Sequence, residues 1–72
     1  MKAQIRLDTM RDVQEFVAIA MMEPNSVYIT DNNSLKVSAK SLLGMLYALE
    51  FEELWCESES DIYHAIEKFI IV

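Results

Sequence analysis

The sequence predicts an α+β fold: a two-layer sandwich with a four-stranded, mainly antiparallel sheet and three helices on one face, in the order β-α-β-β-α-β-α. Two observations predict it. Within 72 residues the apolar pattern switches repeatedly between the period of two that marks a half-buried strand and the period of about 3.6 that marks a helix. Helices interleaved with four short strands are best satisfied by one sheet that is covered on one face and more exposed on the other. With no linker, repeat or low-complexity tract, residues 1–72 read as a single domain. At this length folding removes only about 60% of the surface that the unfolded chain exposes, which leaves a small but sufficient core.

Each element follows from its residues. In "KAQIRL", Ala3, Ile5 and Leu7 alternate with Lys2, Gln4 and Arg6, the pattern of a strand with one buried face. From Met10 the apolar positions become Met10, Val13, Phe16, Val17, Ala20 and Met21, which line one side of a helix. Thr9 is suited to cap that helix, with Asp12 three residues on as an approximate capping box, and Pro24 with Asn25 ends it. "SVYIT" and "LKVS" then read as a hairpin around "DNNS", a turn in which Asn and Asp tolerate left-handed backbone angles. A second helix is expected over residues 41–49, and "ELWCES" alternates again as the fourth strand. Ser60 can cap a last helix carrying Ile62, Ala65, Ile66, Phe69 and Ile70. The first and last helices, with wide apolar faces, are expected to make the main contact with the sheet. The middle helix carries Leu42, Leu43, Met45, Leu46 and Leu49, more than one buried face can use. Some of Leu42, Leu43 and Leu46 are therefore expected near solvent, as a docking surface.

Charge and composition narrow the functional classes. Twelve acidic against six basic residues give a net charge of -6, which opposes general attraction to nucleic acid or anionic lipid. Partners are expected to be proteins or small molecules. The single cysteine, Cys56, cannot form an intramolecular disulfide and suits a reducing, cytoplasmic compartment. The start "MKAQIRLDTM" has no continuous apolar region of a signal peptide, and no run approaches the roughly 20 residues of a membrane span. The expectation is a chain neither secreted nor inserted.

The stretch "VSAKSLLG", residues 37–44, resembles the segment leading into the second helix of HPr, the histidine-containing phosphocarrier of the bacterial sugar phosphotransferase system. The predicted element order matches along nearly the whole chain. The resemblance implies an HPr-like open-faced sandwich, with a regulatory phosphorylation site at Ser41, preceded by Lys40, and partner-docking residues at Leu42, Leu43 and Leu46. HPr proteins also carry a Gly-Leu-His-Ala-Arg-Pro signature at the entrance to the first helix, where the histidine accepts phosphate. The corresponding stretch here is "RLDTMRD". Thr9 falls at the histidine, Arg11 on the arginine, and Asp12 in place of the proline. An imidazole nitrogen relays a phosphoryl group at neutral pH, whereas a threonine hydroxyl makes a stable ester. Arg11 and the free amides of the helix start still favour an anion there, and Asp12 opposes it. The resemblance thus implies an HPr-like protein without the transfer function. Its partners would be phosphotransferase-system or transcription-regulator proteins, with oligomerisation left open.

Other reactive residues have plain structural readings. His64 lies inside the last helix between Tyr63 and Ala65, where a solvated histidine is expected. Cys56 alternates with Leu54 and is expected to point into the core as a small apolar residue. One cysteine and one histidine cannot supply a four-ligand zinc site. Glu50, Glu52, Glu53, Glu57, Glu59 and Asp61 lack the ordered spacing and glycine of a calcium loop, so no metal and no cofactor are expected. Arg11 is equally suited to pair with nearby acids, and Ser41 to satisfy backbone amides at a helix start. Two functional classes follow: a non-catalytic adaptor that docks a protein through the second helix, or a phosphocarrier or phosphoryl acceptor that uses a non-standard residue. A structural domain held by a partner or as a dimer is a third.

Overall fold

The computed structural model describes residues 1–71 and has an α+β architecture. Its strands are β1 (Lys2–Ile5), β2 (Val27–Thr30), β3 (Lys36–Ser38) and β4 (Leu54–Ser58). Its helices are α1 (Met10–Met22), α2 (Leu42–Ala48) and α3 (Tyr63–Ile66), the last continued by a 3-10 turn, Glu67–Phe69. The four strands form one sheet in the order β1-β4-β2-β3, with every pairing antiparallel. The register puts Ile5 opposite Leu54, Ala3 opposite Cys56, and Cys56 opposite Ile29. These residues therefore share one face of the sheet. On the other face Trp55 stands opposite Gln4 and Thr30, while Lys2 and Lys36 hold their ammonium groups over the Trp55 and Tyr28 rings.

The core forms where helices meet the first of these faces. Val13, Phe16, Val17 and Ala20 of α1 join Ile5, Val27, Ile29 and Cys56 of the sheet, Met45 and Ala48 of α2, and Ile66 with Phe69 from the chain end. Phe16 and Phe69 meet edge to face, with ring centroids 5.6 Å apart, an arrangement worth about 0.5–1.5 kcal/mol beyond area burial. Burial pushes the Cys56 thiol up to about 11, so this cysteine behaves as a small apolar residue. The β1 edge is covered by the chain end: Arg6 donates its amide to the Phe69 carbonyl and Ile71 to that of Gln4, which removes a template for edge-to-edge pairing.

Local chemistry explains the boundaries. The Thr9 hydroxyl accepts from the Asp12 amide at 3.0 Å, and the Asp12 carboxylate accepts from Thr9 N and Asp8 N, completing a capping box. In the β2–β3 turn Asn32 adopts a φ of 65°, as expected of asparagine in a left-handed position. The Asp31 carboxylate accepts from the amides of Asn33 and Leu35 and so fixes the turn.

Four expectations require correction. Met10 and Met21 are exposed: they sit at the margins of the α1 stripe, beyond the reach of the sheet. Ser60 does not cap the last helix. Its hydroxyl accepts from the Asn25 side chain, and Asp61 instead accepts from the Tyr63 amide. The last helix is a single α turn followed by a 3-10 turn, with Ala65 exposed and Ile70 half-buried. Finally, the middle helix contributes to the core, because α2 packs on α1, β2 and β3, while α3 supplies little beyond Ile66.

Candidate functional site

Residues 37–49 turn from strand into a short helix with an uneven distribution of apolar groups. The chain leaves β3 through a turn in which Ser41 N donates to the Ser38 carbonyl and the Ser38 hydroxyl accepts from Lys40 N. Ser41 then caps α2: its Oγ accepts from the Gly44 amide at 3.1 Å, and its carbonyl accepts from Met45 N. A Cβ at Gly44 would lie 3.4 Å from the Ser38 carbonyl and from Ser41, an ordinary contact, so the turn itself does not demand glycine here. The seven residues of α2 commit only Met45 and Ala48 to the core. Leu42, Leu43, Leu46 and Tyr47 stay exposed, Leu43 at 79% and Tyr47 at 53%, and Leu49 follows them. Leu43 and Tyr47 are four residues apart and lie one above the other on the same helix face.

The residues implied by the resemblance fall into two groups. Leu42, Leu43 and Leu46 are exposed beside an exposed Ser41, and together they form the N-terminal part of this face. Lys40 has a different task. Its ammonium donates to the Glu23 carbonyl at 2.6 Å, tying the end of α1 to the entrance of α2, which leaves it half-buried and orients the helix rather than offering a free charge. Tyr47 is the residue that counting leucines overlooks, and its i+4 spacing from Leu43 is the sequence signal that could have found it.

The start of α1 is arranged differently from an open anion site. The Asp12 carboxylate already occupies Asp8 N and Thr9 N, and the Thr9 hydroxyl occupies Asp12 N. Arg11 projects into solvent and lies 3.5 Å from Glu15, while Arg6 pairs with Asp8 at 2.8 Å, which raises the Arg6 guanidinium above its ordinary value. The hollow that includes Arg6, Asp8, Asp12, Lys68 and Phe69 thus carries two carboxylates and two cations, with Arg6 already paired to Asp8 and Lys68 to Glu15. Thr9 and Arg11 are close in sequence, but the structure sets Thr9 to work as a cap and leaves Arg11 to a surface ion pair. His64 is exposed, with Nδ1 3.5 Å from Glu67. No helix among the described residues is long and apolar enough to cross a membrane.

A groove of about 500 Å³ adjoins the C-terminal end of the α2 face. One wall is the β2–β3 turn, with Asp31, Asn32, Asn33 and Leu35. The other is the segment after α2, with Glu50, Phe51, Glu52 and Glu53, and Tyr47 reaches in from the helix itself. Tyr47 and Phe51 meet edge to face at 5.6 Å. No protein-family model matches the chain, and comparison with curated proteins and with solved structures gives no match.

Proposed function

We propose that this chain is an HPr-like, non-catalytic adaptor of the bacterial cytoplasm that docks a protein partner through α2, with Ser41 as a phosphorylation switch. One observation carries the reading: α2 buries Met45 and Ala48 yet leaves Leu42, Leu43, Leu46 and Tyr47 in solvent. A contiguous exposed apolar face on a small acidic domain marks an interaction surface. An element order of β-α-β-β-α-β-α supports the likeness to HPr suggested by "VSAKSLLG". Components of the phosphotransferase system and transcription regulators are the partner classes that follow from it.

Ser41 suits the switch because its hydroxyl is exposed and already directed at a backbone amide. Phosphate there adds about -1.5 to -2 charges beside Leu42, next to the first amides of the helix. The fold would change little, whereas an acidic partner would be repelled and a basic one recruited. Phosphoryl relay has no comparable support. Thr9 stands at the family's histidine position with its hydroxyl engaged as a cap.

The test has two arms. Purified protein incubated with phosphoenolpyruvate and the general phosphotransferase enzyme should gain no acid-labile phosphate. Label on His64 would overturn the non-catalytic reading in favour of a phosphocarrier with a displaced acceptor. Leu42→Asp and Leu43→Asp should each abolish capture of a specific partner while leaving the circular dichroism spectrum unchanged. Equal capture by wild type and both variants would remove α2 as the docking element.

A further inference from the structure

The α2 face does not end with the helix. Tyr47 belongs both to the exposed side that carries Leu43 and to the lining of the groove beyond, where Leu35 and Phe51 continue the apolar surface. Asp31, Glu50, Glu52 and Glu53 stand in the same lining, and it contains no lysine, arginine or histidine. Among the described residues the Glu50 and Glu52 carboxylates have no hydrogen-bond or ion-pair partner. The Asp31 carboxylate keeps unpaired acceptor capacity beyond its two turn amides. Leu35, Tyr47 and Phe51 set among these carboxylates, with Glu53 engaged by Gln4 and the Lys2 ammonium held at Asn32 on the margin, are complementary to one chemistry: a cation carried on an apolar neighbour.

We propose that this groove receives an extended protein segment in which arginine or lysine stands next to leucine-like side chains. The segment would reach the groove from the α2 face. The proposal rests on the reading of α2 as a docking helix and specifies the charge of the partner. Arginine suits the site best. Its planar guanidinium can lie against the Tyr47 ring while donating to carboxylates at the rim, and its alkyl stem covers Phe51 and Leu35. An acidic segment would place like charges against Glu50 and Glu52 and be excluded. Pairing in the groove would be sensitive to ionic strength, since these carboxylates remain in contact with solvent.

A fluorescein-labelled peptide with arginine and leucine separated by serine, and its counterpart with glutamate for arginine, test this by anisotropy against the full chain. The arginine peptide should bind and the glutamate peptide should not. Glu50→Gln/Glu52→Gln should weaken binding about fivefold or more, and Tyr47→Ala should do so by a similar factor. Glu59→Gln/Glu67→Gln removes the same charge away from the groove and should change binding less than about twofold. The proposal is overturned if the two double variants lose equally, which would make the attraction a matter of net charge. Failure of the arginine peptide to bind overturns it too. So does dimerisation in sedimentation velocity that Glu50→Gln/Glu52→Gln abolishes, because a second copy would then be the occupant. Leu43→Asp separates the two readings. Peptide binding lost in Leu43→Asp but retained in Glu50→Gln/Glu52→Gln keeps the docking helix and overturns the groove, whereas the reverse keeps the groove and overturns the helix.

Discussion

Two substitutions in α2, two positions apart, should have opposite consequences. Met45 is fully buried while Leu43 is 79% exposed. Met45→Ala deletes a side chain of the core that α2 shares with α1 and the sheet, and truncations of this kind cost about 2–5 kcal/mol. A chain of 72 residues has a total stability of roughly 4–11 kcal/mol at about 0.05–0.15 kcal/mol per residue, so Met45→Ala removes a large share of it. With a urea m-value of about 1 kcal/mol/M for a small domain, the unfolding midpoint should fall by about 2 M or more. Leu43→Ala removes little buried area and installs a better helix former, so its midpoint should stay within about 0.5 M of wild type. Partner binding should show the reverse order. Leu43→Ala should weaken it about tenfold, the loss of one docked leucine, while Met45→Ala, assayed where it is still folded, should bind nearly as well as wild type. Urea titration followed by circular dichroism measures the first effect, and titration calorimetry with the partner the second. If Leu43→Ala lowers the midpoint as far as Met45→Ala does, Leu43 is part of the core and the reasoning fails.

Three further outcomes follow from the geometry. Ser41→Ala should cost about 1 kcal/mol because the Gly44 amide loses its cap, while Ser41→Asp keeps the cap and stays near wild type; thermal unfolding distinguishes them, and equal loss in both would show that Ser41 is no cap. Cys56, buried with its thiol held up at about 11, should react with a thiol reagent only through unfolding, and labelling of the native protein as fast as of a model thiol would contradict its burial. Its sign is clear: the unfolded thiol ionises first, near 8.5, so stability falls as pH rises above that value. The hydrogen bond from Lys36 lowers the Glu57 carboxyl below the ordinary range, assisted by the charges of Lys36 and Lys2. This contribution is present above the unfolded value near 4.3 and is lost as pH falls through the folded one, so in Lys36→Met the Glu57 titration seen by NMR should move up toward about 4.3.

Much of the fold was legible because its signals are local. Alternation in Ala3 and Ile5, the left-handed tolerance of Asn32, and the pair Thr9 and Asp12 each act within a few residues, and each appears in the structure. The last helix departs from its sequence pattern for a physical reason. Ile62, Ile66 and Phe69 are spaced by four and then three, and that spacing serves one long helix or an α turn followed by a 3-10 turn equally well. The Ser60 cap fails for a separate reason: Asn25, from a distant segment, engages its hydroxyl. The Lys40 ammonium bonds the backbone carbonyl of Glu23, and no side-chain pattern reveals a backbone acceptor. The exposed leucines of α2 could be anticipated by counting, since a short helix has room for few buried positions. The groove could not, because residues 31–35 and 47–53 become neighbours only after the hairpin folds back beside α2.

Site-specific photocrosslinking in the cell that makes this chain tests the central claim, that α2 is the docking element, most directly. A benzophenone amino acid would replace Leu43 or Leu46 on the exposed face of α2, and Gln14 or Glu59 as exposed control positions. One discrete protein adduct is expected from Leu43 and Leu46 and none from the controls. The same adduct from every position, or adducts from Gln14 and Glu59 with none from α2, would contradict it.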